Sequence, residues 1–339
     1  MLADYSVAMC TFNGAYFVLE QLDSIASQTH PPKEILVCDD GSADNTVELI
    51  RKFSELHPLI NVRIHINKRN LGFIKNFEQA ISLCTYEYIL LSDQDDYWVN
   101  NKAELQVGFL SSNPSKKMVF SDAYRTDSKL MPIQPDLWQC VHFSALNQQR
   151  FMAGQALSVL LRHNIVTGAT VALTKEFVHQ QFPFNDEYPH DAWLALKAAQ
   201  VDAIGFIPQK LIKYRQHETN ALGAVYDSKL TKARKALTGY WRSQFPPEFF
   251  MRLKAYQALI DSEHCLSEQG KLVSQVKAFQ EFRLSIMEGK QERLNGFRYL
   301  VRYWRNNYYN NYAAAKGSLV KDMLRLIVKS PNYTESTKQ

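Results

Sequence analysis

Three carboxylates fall within four positions at Asp93-Gln94-Asp95-Asp96. Acids packed this closely cannot all stay ionised at a crevice without compensation, because each resists desolvation and repels its neighbours. A divalent cation (Mn2+ or Mg2+) holding a phosphorylated ligand is the simplest compensation, as hard cations take oxygen ligands. A second acidic pair, Asp39-Asp40, stands ahead of Gly41-Ser42. An Asx turn would account for one of these acids; two adjacent ones exceed what a turn needs, and that favours a ligand contact.

The elements around these residues must bring them to one place. Tyr88-Ile89-Leu90-Leu91-Ser92 is a short apolar run that reads as a buried strand of a parallel sheet and ends in the acids. Ser6–Cys10, Glu34–Cys38 and Val62–Ile66 read as three earlier strands. Helical spacing connects them: Phe17, Leu22 and Ile25 before Pro31-Pro32, then Asn45–Phe53, then Ile74–Leu83. This alternation implies a parallel sheet with right-handed crossovers. The strands end in Thr11/Asn13, Asp39/Asp40, Asn70/Gly72 and Asp93/Asp95, which a parallel sheet gathers on one edge. Ligands of open α/β sheets bind at that edge. Lys75 and Asn76 begin a helix beside it, a placement that suits a phosphate or ribose.

The chain has 339 residues, 46% hydrophobic and 22% charged, enough for one large or two ordinary soluble domains. Its five cysteines lack Cys-x-x-Cys spacing and are odd in number, which favours a reducing cytoplasm over a disulfide framework. The start lacks a secretory leader, and no run reaches the roughly 18 apolar residues of a spanning helix. A net charge of +5 is too small to imply a nucleic-acid partner.

Residues 5 to about 223 resemble the family 2 glycosyltransferases of GT-A fold. The likeness rests on Thr11-Phe12-Asn13, on Val37 to Thr46, on Asn70-Leu71-Gly72-Phe73-Ile74-Lys75-Asn76 and on Asp93-Gln94-Asp95, the family's Asp-x-Asp. Val166-Thr167-Gly168-Ala169-Thr170, His190-Asp191-Ala192-Trp193-Leu194 and Tyr214-Arg215-Gln216-His217 resemble the branch of bacterial rhamnosyltransferases. The implied fold is a Rossmann-like, mostly parallel sheet with flanking helices over residues 1–225. Residues 1–120 would form its nucleotide-binding half and 121–225 its acceptor and catalytic-base half.

The resemblance also implies roles. Asp95 is the metal ligand, with His217 near the metal or diphosphate, and Asp93 lies by the ribose or a metal-bound water. Thr11 and Asn13 contact base and ribose, Asp40 accepts from a pyrimidine N–H, and Asp39 could share that task. Asn70, Gly72, Lys75 and Asn76 complete the nucleotide set. Asp96 is a supporting or sugar contact, or else a solvated helix-cap acid. Gly168 permits close approach of the donor sugar, Arg215 could fork onto a phosphate oxygen, and Asp191 is the general base. A carboxylate backed by an aromatic is pushed toward the useful pKa range by burial; an N-cap role for Asp191 is compatible with that task. Ala192 replaces the family's usual aromatic while Trp193 is retained, so the acceptor or sugar pocket is expected to be reshaped.

From 226 to 339 the chain reads as helical. Past Lys290 it interleaves Arg293, Arg298, Arg302, Arg305, Lys316, Lys321, Arg325 and Lys329 with aromatic residues. Such helices suit an anionic membrane surface, here the inner face of the cytoplasmic membrane; the competing expectation is that the rings pack on the catalytic domain. The whole predicts an inverting, metal-dependent transferase with dTDP-L-rhamnose as first donor and UDP-hexoses next. Its acceptor would be a glycan or lipid-linked glycan of O-antigen, lipopolysaccharide or capsule type. A non-catalytic nucleotide- or carbohydrate-binding subunit of the same fold is the alternative.

Overall fold

The computed structural model describes residues 2–217, 245, 247–262, 267–313 and 317–327. Cys265, Lys316, Lys329 and the expected boundary at 225/226 lie outside them.

Four strands, β1 (Tyr5–Thr11), β2 (Glu34–Asp39), β3 (Asn61–Ile66) and β4 (Tyr88–Ser92), alternate with helices α1 (Val18–Ala26), α2 (Thr46–Leu56) and α3 (Phe73–Leu83). β1 pairs in parallel with β2 on one side and β4 on the other, and β3 extends the sheet beyond β2. β1 and β2 are buried along their whole length, as expected where both faces of a parallel sheet are covered. The inward stripe of α1 is Val18, Gln21, Leu22 and Ile25. Phe17 is not part of it. That residue occupies the N-cap position, and its ring lies tilted against His217, just past the last strand, with centres 4.7 Å apart. α2 runs three residues beyond the expected Phe53, into exposed Leu56.

The second half of the sheet is built differently. After β5 (Tyr97–Trp98) come α4 (Lys102–Ser112), β6 (Met118–Thr126) and three short helices, α5 (Leu137–Cys140), α6 (Ala145–Arg150) and α7 (Ala156–Leu160). Then follow β7 (Val171–Thr174), α8 (Lys175–His179), α9 (His190–Gln200) and β8 (Ile204–Arg215). The full order is β3-β2-β1-β4-β7-β6-β8-β5. β7 runs antiparallel between β4 and β6, and β8 lies parallel to β6. The sheet is therefore mixed, open and flanked by helices. β5 pairs antiparallel with β8, Tyr97 opposite Lys213, and it begins one residue after Asp96. That pairing draws the acidic loop against the end of β8. The core between sheet and helices includes Val7, Met9, Val37, Leu90, Trp98, Val107, Val119, Ala172 and Ile212.

The chain divides into two compact units, Met1–Ala156 with Asn164–Tyr226, and Leu157–His163 with Asp227–Gln339. Within the second, α10 (Pro247–Asp261), α11 (Glu268–Met287), α12 (Arg293–Arg305), α13 (Tyr308–Tyr312) and α14 (Ser318–Ile327) enclose Val273, Val276, Phe279, Ile286, Leu300 and Leu326. Gly296 lets α12 and α14 approach closely, since a Cβ there would lie 2.6 Å from Leu326 Cδ2. Tyr303 and Tyr308 pack on Phe279 at 5.0 and 5.5 Å, so several of the unit's rings form its own core. Buried Asp322 accepts from Arg283 Nε at 2.9 Å and from the Tyr309 hydroxyl at 3.1 Å. Among the described residues, no helix is long and apolar enough to cross a membrane.

Candidate active site

The loops after β1, β2 and β3 are held by two acids. Asp39 is fully buried; its carboxylate accepts from the Thr11 hydroxyl at 2.8 Å, the Gly41 and Ser42 amides at 3.2 and 2.8 Å, and the Ser42 hydroxyl at 2.5 Å. Four bonds fill the acceptor sites of a carboxylate. Asp40 accepts three: from Asn67 Nδ2 at 2.9 Å, the Leu71 amide at 2.8 Å and the Gly72 amide at 2.9 Å. One lone pair of its Oδ2 therefore remains. Gly72 can turn its amide this way because it adopts φ 79°, a conformation costly for other residues. Asn70 closes the same loop, its Oδ1 accepting from Gly72 at 3.1 Å. Asn13 joins the first two loops: its Oδ1 accepts from the Ala43 amide at 2.9 Å, and its own amide donates to Ser42 Oγ at 2.8 Å.

Two residues of the expected nucleotide set have other partners here. Asn76 is buried, donating to the Cys38 carbonyl at 2.9 Å and accepting from Asn67 at 2.9 Å, so its amide holds α3 to β2. Lys75 lies between Glu78 at 2.9 Å and Asp186 at 2.6 Å. Burial pulls its pKa down, but the two carboxylates outweigh that and raise it.

At the end of β4 the acids are short of donors. Asp96 is 1% exposed; its Oδ1 accepts from the Arg215 amide at 3.0 Å, and its Oδ2 has no hydrogen-bond partner. Burial, then Asp95 and Asp93, push its carboxyl well above the usual range. Asp93 is lifted to about 7 by burial, then by Asp95 and Asp191. Asp191, at the start of α9, is lifted to about 6 by burial, against bonds from the Ala192 and Gly168 amides. β2 and β4 run parallel on either side of β1, so Asp40 and the β4 acids lie at one edge, and their fields overlap there. Cys10, at the end of β1, is raised by burial and Cys38 and then by both Asp93 and Asp40. Tyr214 is raised by burial and then by Asp96, Asp93, Asp95 and Asp191. Asp40, the β4 acids and Asp191 therefore share one edge of the sheet.

Gly168 lies against α9: a Cβ there would come within 3.1 Å of His190 Nε2 and 3.7 Å of Asp191 Cβ. Its bareness lets the 3-10 turn at Gly168–Thr170 approach the base candidate. His190 is buried, stacks on Phe77 at 4.3 Å and is pushed down to about 3 by burial, so it is neutral at physiological pH. Trp193 is buried in α9, with Lys197 Nζ 5.8 Å from its ring centre.

Arg215 and His217 bind the acidic loop from β8. The guanidinium, 2% exposed, donates through Nε to the Asp95 carbonyl at 2.7 Å, through Nη1 to the Ser128 carbonyl at 2.6 Å and through Nη2 to Glu20. These bonds tie the end of β8 to the acidic loop and to α1. His217 Nε2 meets Asp95 Oδ2 at 2.8 Å. Among the described residues, no three His, Cys, Asp or Glu side chains converge on a point that could hold an ion. The donor set still fits a hard cation shared with a ligand. One carboxylate and one imidazole face each other, and a neighbouring carboxylate oxygen lacks any partner.

Gln94 went unassigned in the sequence. Its Oε1 accepts from the Phe12 amide at 2.8 Å and its Nε2 donates to the Phe12 carbonyl at 3.0 Å. The side chain between the two acids thus fastens their loop to the end of β1. Gly14 makes room, as a Cβ there would sit 2.1 Å from Gln94 Oε1. A polar residue between paired acids was the available signal. Glu20, on the outward side of α1, gave none.

The mixed, open α/β sheet with flanking helices has GT-A architecture. In fold the chain is similar to TarS 1-349 of S. aureus, with a TM-score of 0.53 over 91% of this chain and 89% of that one at 15% identity. A second structure of that protein, in complex with UDP-GlcNAc, gives a TM-score of 0.51 at 18% identity over the same shares. Residues 6–160 match the family model described as Glycosyl transferase family 2. The chain is 29% identical over 226 residues to dTDP-rhamnosyl transferase RfbG of Shigella flexneri, covering 64% of this chain and 74% of that protein. It is 25% identical over 211 residues to the UDP-Glc:alpha-D-GlcNAc-diphosphoundecaprenol beta-1,3-glucosyltransferase WfgD of Escherichia coli, covering 60% and 75%. Residues 6–160 are thus similar to the family 2 glycosyltransferases.

Proposed function

We propose that the protein moves a sugar from a nucleotide donor to a hydroxyl of a bacterial surface glycan, with inversion at the anomeric carbon. The observation that carries this reading is Asp191: a carboxyl lifted to about 6, close enough to Asp93 to raise that acid, at the ligand-binding edge of the sheet. At neutral pH such a group is ionised yet basic enough to take a hydroxyl proton. As Asp191 removes that proton, the acceptor oxygen bonds to the anomeric carbon and the bond from that carbon to the diphosphate oxygen breaks. The electron pair leaves with the nucleoside diphosphate. Gly168 and the start of α9 orient the base through its bonds to the Gly168 and Ala192 amides.

Asp95 and His217 would hold Mn2+ or Mg2+, with the diphosphate completing its shell; the ion's contribution is to neutralise charge on the leaving group. Asp40 has the acceptor capacity for a pyrimidine N–H, whereas Asp39 has none left. Thr11, Asn13, Asn70 and Gly72 shape the nucleotide loops, and Asp93 lies by the ribose. Arg215 supports the acidic loop through the Asp95 carbonyl and the Asp96 carboxylate.

RfbG is named for dTDP-rhamnose, which supports that donor as the first choice. WfgD is named for UDP-Glc and a diphosphoundecaprenol-linked acceptor, and TarS was crystallised with UDP-GlcNAc, which supports a UDP-sugar as the second. A lipid-linked acceptor would be met at the inner face of the cytoplasmic membrane. Exposed Leu294 and Trp304 beside Arg298, Arg302 and Arg305 on α12 suit such a surface. Thermal-shift measurement with dTDP-rhamnose, UDP-glucose and UDP-GlcNAc, each with Mn2+, tests the donor, because a bound ligand raises the Tm by mass action. The largest shift is expected from dTDP-rhamnose, followed by turnover of that donor. A larger shift from a UDP-sugar would move the assignment to it, and binding without turnover of any donor would favour a non-catalytic subunit.

A further inference from the structure

We infer that Phe77 and Glu78, on one turn of α3, are positioning residues that set the proposed base Asp191 at a fixed place relative to the nucleotide loops. The inference rests on Asp191 as the base and names residues outside the site. Asp191 follows a segment, residues 180–189, that has neither helix nor strand. Pro189, at the N-cap of α9, brings no capping side chain to the helix start. That start, with its unsatisfied amides, therefore draws its placement from neighbouring elements.

Three consecutive side chains of α3 contribute to it. Asn76 donates to the Cys38 carbonyl on β2 at 2.9 Å, which ties the turn to the sheet. Phe77 stacks on His190, the residue before the base, with ring centres 4.3 Å apart and planes at 23°. His190 also lies against Gly168, where a Cβ would come within 3.1 Å of Nε2. Neither ring nitrogen has a hydrogen-bond partner, so packing fixes this ring. Glu78 accepts from the Phe184 amide at 3.0 Å and so holds the segment that leads to the base. Successive residues of a helix point about 100° apart, so one turn can face β2, α9 and that segment at once. The same helix follows Gly72, whose amide donates to Asp40. Nucleotide loop and base segment thus share one rigid element. A base must lie within hydrogen-bond reach of the proton it takes, and a misplacement of about 1 Å can cost about two orders of magnitude in rate.

The test is release of nucleoside diphosphate from the best-bound of dTDP-rhamnose, UDP-glucose and UDP-GlcNAc, with Mn2+, well below the Tm of every variant. Water is the acceptor in one series and sodium azide in a second. Azide is an anion with no proton to lose, so its attack on the anomeric carbon needs no base. Wild type, Asp191→Asn, Glu78→Ala, Glu78→Gln and Phe77→Leu are compared. Glu78→Ala and Phe77→Leu are expected to lower kcat with water about tenfold or more, with the donor KM unchanged and the rate with azide close to wild type. Glu78→Gln, which keeps an oxygen for the Phe184 amide, should restore most of kcat. Wild-type kcat with water in Glu78→Ala and Phe77→Leu, even with a lowered Tm, would make the turn merely structural and overturn the inference. An equal loss with azide would overturn it too, since the damage would then reach beyond the base. Phe77→Leu gives the same reading should Glu78→Ala fail to fold. An Asp191→Asn enzyme as active with water as wild type would instead overturn the base itself.

Discussion

Asp39, at the end of β2, accepts from four donors, whereas Asp96, beyond the end of β4 with β1 between the two strands, leaves an oxygen with none. The two acidic stretches look alike in sequence and differ in what surrounds them. Around Asp39 and Asp40 are amides and hydroxyls from three loops, so these acids organise backbone. Asp93 and Asp96 are raised by burial and by neighbouring acids, and Asp191 by burial against two amide bonds, so all three carboxyls are driven upward. Buried charges surrounded by donors are architecture; buried charges surrounded by one another are poised for a cation or a proton.

The contrast predicts opposite effects of removing an acid. Asp191→Asn is expected to lower kcat/KM by about two to four orders of magnitude, the usual contribution of a general base, while the fold persists. Steady-state kinetics beside a melting curve check this; unfolding as the cause of lost activity would break the contrast. Asp39→Ala is expected to do the reverse, costing about 3–5 kcal/mol of stability by leaving several buried donors unpaired. Urea denaturation measures that loss.

The pH dependence sharpens the same point. The folded-state pKa of Asp191, about 6, lies above its ordinary value of 3.8. The folded state therefore binds this proton more tightly than the unfolded chain does. The stability it contributes is complete below pH 3.8 and is lost as pH rises through about 6, so Asp191→Asn should melt higher than wild type at neutral pH. Over the same window kcat/KM should rise about tenfold per pH unit and level off above about 6, as the base ionises. The smallest expected effect is that of Lys75→Met. With its ammonium held by Glu78 and Asp186, partly exposed, it should cost under about 1 kcal/mol and leave the donor KM unchanged.

The parallel half of the sheet was legible because β1, β2 and β4 are chiefly apolar runs with polar ends, β3 alternates, and the helices carry clear stripes. The antiparallel additions were not: β5 is two residues long and β7 four, too short for any period to register. The candidate base and acidic loop were legible as motifs. The division of labour between Asp39 and Asp40 was not, since it depends on donors at Thr11, Asn67 and Leu71 that only folding brings close. The pairing of Arg215 with Glu20 was hidden for a related reason. An arginine after a strand suggests a phosphate fork, and the partner that claims it, Glu20, is 195 positions away.

The central claim is that the donor-poor acids serve a cation and a diphosphate. Release of nucleoside diphosphate from the best-bound donor, measured in excess EDTA and again after Mn2+ or Mg2+ is restored, tests it most directly in wild type and Asp95→Ala. Activity should vanish with the chelator, return with metal in wild type, and stay absent in the variant. Full turnover in EDTA, or an Asp95→Ala enzyme as active as wild type, would contradict it.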